Sequence, residues 1–85
     1  MELSVEISYY PLKNDYKPPI RKLIEQLRRS GLEVYSNRMS TQLFGEYDTV
    51  MAALSRLMKW SFENQDKGVF VAKFMEGDRR PRKEE

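Results

Sequence analysis

The sequence predicts a two-layer α+β domain in which two helices cover one face of an antiparallel sheet. Residues 3–10 alternate between apolar and polar side chains, a pattern typical of a strand with one buried face. Apolar residues recur at helical spacing over residues 20–27 and again over 50–58, which predicts two amphipathic helices. Because 85 residues form only one sizeable core, we expect these elements to belong to a single folding unit.

The first strand is followed by the first helix. The apolar face of the strand is formed by Leu3, Val5, Ile7 and Tyr9. Pro11 ends the strand, and Pro18 with Pro19 predicts the first turn of a helix, where a fixed φ and a missing N–H group are tolerated. The apolar stripe of the helix is formed by Ile20, Leu23, Ile24 and Leu27. Gly31 is expected to end the helix, since glycine is favoured just after a helix C-terminus.

A hairpin comes next in the sequence. Residues 32–37 predict a second strand, and residues 39–46 predict a third strand that contains a Ser-Thr pair. The turn between them falls at residues 37–39. This turn lacks an Asn-Gly signal, so the register of the hairpin stays open at this stage.

The second helix and the last strand complete the domain. Asp48 is the expected N-cap of the helix, with Tyr47 before it packing on the first turn. The apolar stripe of the helix is formed by Val50, Ala53, Leu54, Leu57, Met58 and Phe62. Residues 69–75 predict the last strand, because they are rich in β-branched and aromatic residues.

The element order is therefore βαββαβ, which in a chain of this length predicts a ferredoxin-like two-layer sandwich. Right-handed crossovers give its antiparallel sheet the strand order 4-1-3-2. The fold leaves one sheet face without helices, and Val69 and Val71 are expected on it. We expect this face to mediate a homodimer or a dimer of dimers. Residues 1–76 form the predicted domain, and 77–85 form a predicted mobile charged tail.

The composition excludes several classes of chemistry. The chain contains no Cys and no His, so disulfides, thiolate nucleophiles, imidazole bases and zinc-finger spacings are excluded, and we expect neither a metal nor a cofactor. No stretch approaches the roughly 20 apolar residues of a membrane span. The N-terminal residues lack the pattern of a secretory signal, so we expect a cytoplasmic protein. The formal charge of +2 is weak evidence for nucleic acid.

Polar side chains on the central strands are candidate ligand contacts. Ser40 and Thr41 each offer one hydroxyl donor and two acceptor lone pairs, which suits a heteroaromatic ring. Such a pair can equally reflect strand propensity beside a turn. Ser8 and Tyr10 fall on the neighbouring central strand. Glu6 could bind a cation or an aminopyrimidine edge, or could be solvated or paired with a lysine of the last strand.

Residues 67–74 resemble the Lys-Gly-aromatic strand of the RNA-recognition motif, which has the same topology. The signature occupies the fourth strand here, whereas that family carries it on the third. Val69 also stands where an aromatic residue should stack on a base. We therefore do not expect nucleic-acid binding.

Three segments together resemble the YkoF-like thiamine/hydroxymethylpyrimidine-binding family. They are Ile7-Ser8-Tyr9-Tyr10-Pro11-Leu12, Asn37-Arg38-Met39-Ser40-Thr41 with Gly45, and Val69-Phe70-Val71-Ala72-Lys73-Phe74 ahead of Gly77-Asp78. The resemblance implies a single ferredoxin-like unit that binds thiamine or its pyrimidine precursor without catalysis, in supply or transport of the vitamin. It implies that Ser40 and Thr41 contact the ligand, and that Tyr10 and the segment Asn37 to Met39 shape the pocket. Since the YkoF protein has two such units in tandem, it also implies association of copies.

Two other functions stay open. A self-associating regulatory or scaffold domain would keep the fold without the vitamin. An acylphosphatase-like hydrolase would need an anion-cradling loop with an arginine after the first strand, and residues 10–14 do not provide one. We therefore expect a binding protein rather than an enzyme.

Overall fold

The computed structural model describes residues 1–81. Its elements are β1 (Glu2–Pro11), α1 (Lys17–Arg28), β2 (Glu33–Ser36), β3 (Thr41–Glu46), α2 (Tyr47–Asn64) and β4 (Gly68–Glu76). The sheet order is β2-β3-β1-β4, and every neighbouring pair is antiparallel. This is the predicted order 4-1-3-2 followed from the other edge. The ferredoxin-like α+β prediction is confirmed.

The register of the sheet assigns each side chain to one of two faces. Directly opposite residues in an antiparallel pair share a face, and consecutive residues alternate between faces. Ile7 lies opposite both Thr41 and Ala72, and Ile7 is buried, so this set faces the helices. Glu6 lies opposite Lys73 and faces away from them. The Glu6 carboxylate and the Lys73 ammonium form an ion pair at 3.7 Å, in agreement with one of the readings of Glu6.

The core lies between the helices and the covered sheet face. Its most buried side chains are Val5, Leu27, Leu43 and Val50. One residue of the predicted α2 stripe is misplaced: Phe62 is 63% exposed, and its ring packs edge-on against that of Phe70, with the ring centres 5.7 Å apart. Ser61 takes the inward position instead, because it is closer in helical phase to Leu57 than Phe62 is. Within residues 1–81, neither helix is long and apolar enough to cross a membrane.

The ends of the two helices differ from the prediction in detail. The N-cap of α2 is Glu46 and not Asp48, because Glu46 Oε2 accepts hydrogen bonds from Thr49 N at 3.1 Å and from Thr49 Oγ1 at 3.3 Å. The backbone hydrogen bonds from Thr49 and Asp48 lower the pKa of the Glu46 carboxyl. Helix α1 has Pro18 in its first turn as predicted and ends at Arg28, before Gly31 with φ +82°.

The turn of the β2–β3 hairpin is longer than predicted. Ser36 and Thr41 form its last strand pair, so Ser40 lies in the turn and not in a strand. Asn37 Oδ1 accepts hydrogen bonds from Met39 N at 2.7 Å and from Ser40 N at 3.1 Å. These bonds satisfy two backbone donors inside the turn.

The C-terminal segment, residues 77–81, lies across the helix-free face at the start of β1. Ser4 Oγ donates a 2.8 Å hydrogen bond to Gly77 O and accepts one of 2.8 Å from Arg79 N. The Arg80 guanidinium pairs with Glu33, Glu2 and Asp78, and it lies 5.9 Å from the centre of the Phe44 ring. Ser4 and Phe44 are therefore buried on a face that carries no helix. Residues 82–85 of the predicted tail lie outside the described residues, and the domain boundary at residue 76 stays a prediction.

Candidate ligand-binding site

A cavity of about 410 Å³ lies between α1 and the strand ends next to the β2–β3 turn. This volume is within the range of small-molecule sites. Its apolar wall comes from β1 and α1, through Ile7, Tyr9, Ile20, Leu23, Ile24 and Leu27. Polar side chains line it from the hairpin side. An apolar wall with a few polar groups on one side is suited to a small ring with polar substituents.

Six of the seven predicted site residues line this cavity: Ser8, Tyr10, Asn37, Met39, Ser40 and Thr41. The structure brings them together because the end of β1 and the hairpin turn lie next to each other in the sheet. Glu6 does not line the cavity. It is joined to the group indirectly, since Ser40 Oγ donates a 3.0 Å hydrogen bond to Glu6 Oε2.

The Ser-Thr pair is divided between the two faces of the sheet. Thr41 is buried on the helix-covered face, opposite Ile7. The Ser40 hydroxyl is bound to Glu6, which belongs to the helix-free face. Thr41 belongs to β3 and Ser40 to the turn, where Glu6 holds its hydroxyl, so the pair does not present both hydroxyls to one side of the sheet. The Thr41 hydroxyl is the one that the strand directs to the cavity side.

Sequence reasoning missed the partner of Thr41. Ser36 Oγ and Thr41 Oγ1 lie 3.1 Å apart, and either atom can be the donor. Their single hydrogen bond uses one of two hydroxyl hydrogens, so one hydrogen and several lone pairs are left for a ligand. The pair can therefore donate to a ring nitrogen and accept from an amino group. The sequence does contain a signal that could have identified Ser36, since it is a second hydroxyl residue at the other end of the turn from Thr41.

The aromatic wall of the cavity depends on a glycine in β4. The rings of Tyr9 and Phe70 pack with their centres 4.7 Å apart. A Cβ atom at Gly68 would lie 2.5 Å from Tyr9 Cε1 and 2.6 Å from the Tyr9 hydroxyl oxygen. Only glycine lets the strand pass this close to the ring. Gly68 is therefore required for the position of Tyr9 in the cavity wall.

Further cavity residues come from the loop before α1, which gave no functional signal in the sequence, and from the predicted turn segment Asn37 to Met39. Lys13 and Tyr16 belong to the loop before α1, and Arg38 lies in the hairpin turn. The apolar residues of α1 were predicted as core, and the same side chains also form the cavity wall. Periodicity cannot separate these two roles, because both require the same apolar stripe.

The two phenylalanines of β4 do not lie on the helix-free face. Phe70 and Phe74 lie opposite Tyr9 and Val5, so the register directs both phenylalanines of β4 to the helix-covered face. Among residues 1–81, no three His, Cys, Asp or Glu side chains lie close enough together to hold a metal ion. The arrangement around the cavity is one of hydrogen-bonding and apolar contacts.

Comparisons with known structures return the same fold. A crystal structure from Thermotoga maritima, provisionally described as a thiamine biosynthesis/salvage protein, matches with a TM-score of 0.78 at 18% identity, over 87% of this chain and 82% of that one. A Streptococcus pneumoniae protein matches with a TM-score of 0.83 at 21% identity, over 93% and 90% of the two chains. A hypothetical protein of Methanocaldococcus jannascii matches with a TM-score of 0.75 at 24% identity, over 94% of this chain and 84% of that one. Because all three sequence identities are below 25%, these structural similarities establish the fold alone.

The family is established by the sequence. No curated protein matches the chain. A family model described as "thiamine-binding protein" matches residues 5–84, which is nearly the whole sequence. This match confirms the resemblance carried by the Tyr-Pro and Ser-Thr segments, and the chain belongs to the thiamine-binding protein family.

Proposed function

We propose that the protein binds thiamine or its hydroxymethylpyrimidine moiety in the cavity beside α1, without catalysis, in the supply or transport of the vitamin. The observation that carries the proposal is the Ser36–Thr41 hydroxyl pair at an otherwise largely apolar cavity, in a chain of the thiamine-binding family. An aminopyrimidine presents an amino donor beside a ring-nitrogen acceptor. A pair of hydroxyls that can both donate and accept complements that edge.

The proposed contacts divide into three groups. Thr41 and Ser36 bind the polar edge of the ring, and Tyr10 with Met39 flanks it. Asn37 holds the turn through its Oδ1 atom, and Ser40 is fixed by Glu6. Ser8 borders the cavity from the central strand, with its side chain on the helix-free face opposite Val71. In this proposal Glu6 is a positioning residue, because it acts on the turn through Ser40 and does not reach the cavity.

Titration calorimetry tests the proposal directly. Purified protein is titrated with 4-amino-5-hydroxymethyl-2-methylpyrimidine and with thiamine, and the thermal midpoint is measured with each ligand. We expect saturable heat for the pyrimidine, with a higher thermal midpoint, since a ligand that binds only the folded state stabilises it. Absence of both heat and thermal shift at millimolar ligand contradicts the proposal.

A second candidate is a self-associating scaffold without a vitamin, as a homodimer or a dimer of dimers. The supporting observation is an exposed apolar strip on the helix-free face, formed by Val69 and Val71, with Met75 further along the same strand. Exposed apolar side chains on an uncovered sheet face are candidate contacts between protein molecules. Self-association through this strip is compatible with ligand binding on the other face, so we include it in the proposal together with a cytoplasmic location. Self-association with no pyrimidine binding favours the scaffold alone.

A further inference from the structure

The exposed sides of the two helices carry most of the positive charge of the molecule. Residues 17–29 and 47–64, which are α1 with its C-cap residue and α2, form what we call the helix layer. The helix layer contains seven Lys or Arg residues and three Asp or Glu residues. The rest of the described chain contains six Lys or Arg residues and eight Asp or Glu residues. The charge is therefore divided, with an excess of cations on the helix layer and an excess of acids elsewhere.

None of the seven cations of the helix layer forms an ion pair within residues 1–81. The ion pairs of that part of the chain are made by Lys13, Lys73 and Arg80, and all three lie outside the helix layer. All seven cations are exposed. They are Lys17, Arg21, Lys22, Arg28, Arg29, Arg56 and Lys59. The helix layer therefore presents a set of charges that no side chain of the described protein neutralises.

Helix stability accounts for only part of this charge. Cations stabilise the C-terminal end of a helix and acids stabilise its N-terminal end, because of the helix dipole. Arg28 follows this rule at the end of α1. The first turn of the same helix has no acid and contains Lys17, which opposes the dipole. A partner outside the domain is a better explanation for cations along the whole length of α1.

A cleft of about 290 Å³ lies between α1 and α2 within the helix layer. Its floor is formed by Leu27, Ala53 and Leu57, which are buried. Arg29 lines the cleft from the end of α1, and Arg56 lines it from α2. No Asp or Glu of the described residues lines it. Buried apolar side chains between two guanidinium groups suit a partner that brings an apolar side chain with carboxylates beside it.

The cleft favours a protein segment over a membrane or a nucleic acid. The guanidinium group matches the two oxygens of a carboxylate with two parallel hydrogen bonds. Stable attachment to a bilayer needs an apolar contact in addition to charge, and α1 exposes no large hydrophobic side chain. The acids Glu25 and Glu63 lie among the cations of the two helices, where they would repel a continuous phosphate backbone.

We propose that the helix layer docks an acidic segment of a partner protein. An apolar side chain of that segment occupies the cleft between α1 and α2, and carboxylates beside it pair with Arg29 and Arg56. The other cations of the helix layer steer the approach of the partner. The cleft and the ring cavity have only Leu27 in common among their lining residues, so this inference does not depend on the proposed pyrimidine site.

The fluorescence of Trp60 provides the test, because Trp60 is the only tryptophan of the chain and lines the cleft. The full chain is titrated with a capped peptide that has a leucine between two pairs of glutamates. We expect a saturable change in emission that weakens as salt is raised, since screening reduces the charge interaction. Replacing the glutamates by glutamines, or the leucine by glycine, should each weaken binding about tenfold.

Variants assign the binding to the cleft. Arg29→Gln and Arg56→Gln each remove one exposed guanidinium group, and each should weaken peptide binding about fivefold. Lys67→Gln is the matched control, because it removes one exposed cation outside the helix layer, and it should leave peptide binding unchanged. Thermal midpoints close to that of the wild type show that the variants are folded.

Several results would overturn the inference. They are the absence of both an emission change and calorimetric heat at millimolar peptide, equal binding of the glutamine peptide, and an equal loss in Lys67→Gln. Tighter binding of a single-stranded DNA oligonucleotide, or of vesicles of phosphatidylglycerol and phosphatidylcholine, at the same salt concentration would assign the helix layer to a nucleic acid or a membrane instead. Calorimetry with the pyrimidine is run on the same samples, and its outcome stands apart from each of these results.

Discussion

The hydroxyl oxygens of Ser36 and Thr41 lie 3.1 Å apart, at the last strand pair of the β2–β3 hairpin. Each residue belongs to a different strand, and the turn between them lines the cavity. Pairing across a hairpin fixes both hydroxyls on the sheet, which is more rigid than a loop. The polar edge of the cavity is therefore positioned by the ladder itself.

Removing one hydroxyl of this pair should weaken ligand binding. Thr41→Val keeps the shape of the side chain and removes its donor and acceptor, so we expect a loss of about tenfold in pyrimidine affinity by calorimetry. Ser40→Ala is the matched control, because its hydroxyl is bound to Glu6. Equal losses in both variants would contradict the division of the two hydroxyls between the faces.

Gly68→Ala should disturb the cavity through Tyr9. The added Cβ would lie 2.5 Å from the Tyr9 ring, and relief of this overlap requires the ring to move, at a cost of about 2 kcal/mol in unfolding free energy. Gly45→Ala is the control, since its Cβ would lie 2.8 Å from Leu32 Cδ2, away from the cavity. Both variants should be destabilised in urea, and only Gly68→Ala should also lose ligand affinity. Unchanged affinity in Gly68→Ala would argue against Tyr9 as a ligand wall.

Ser4 should anchor the C-terminal segment. Ser4→Ala removes a buried hydroxyl that bonds Gly77 O and Arg79 N, leaving both without that partner, and we expect a loss of about 2 kcal/mol in unfolding free energy. Trypsin should then cut the Arg79–Arg80 bond faster than in wild type. Ser8→Ala, two pairs further along the same strand face, is the control and should change neither the unfolding free energy nor the cleavage rate.

The N-cap of α2 should give the protein part of its acid sensitivity. The folded-state pKa of Glu46 is lowered, first by the hydrogen bond from Thr49 N–H, so its ionised form stabilises the fold above the ordinary glutamate pKa. That contribution is lost as pH falls through the lowered value. Glu46→Gln should lower the thermal midpoint by a few degrees at pH 7, and the difference from wild type should fade in the acid range. A difference that persists undiminished at low pH would rule out the ionised cap as its source.

The apolar strip of the helix-free face should carry self-association. Val71 is 52% exposed near its centre, so Val71→Asp should convert any oligomer to monomer in light scattering, because it would bury a charge in the contact. Met51→Asp is the control, since Met51 lies on α2 in the opposite layer. An oligomer that survives Val71→Asp would assign the contact to another surface.

The sequence predicted the fold well because its signals were periodic. The alternation over residues 3–10 assigned both faces of β1, and the stripes of α1 and α2 assigned their buried sides apart from Phe62. Boundaries were less well predicted where a side chain decided them. Glu46 and not Asp48 is the N-cap of α2, because its carboxylate accepts a hydrogen bond from a free backbone N–H of the first turn. The sequence pattern does not show which of the two carboxylates can do so.

The candidate site was predicted in part for a similar reason. The hairpin and the end of β1 were identified from residue types in consecutive segments, and these line one cavity. Ser36 and Lys13 were missed as site residues. Ser36 contributes through its position across the hairpin from Thr41, and Lys13 contributes through its position in the loop before α1. The splitting of Ser40 from Thr41 was missed because the turn extends one residue beyond the predicted boundary.

The C-terminal segment has a consequence for symmetry. It covers the face near Ser4 and Phe44, so a second sheet can pack flat only against the half that contains Ser8 and Val71. In a twofold pair the same residues of both copies surround the axis, so the axis of such a pair has to pass off-centre, through that half. The C-terminal end of β1 borders the cavity and also belongs to the uncovered half of the sheet. In a twofold dimer, the two ligand cavities would therefore lie on the side of each domain that is nearer to the symmetry axis.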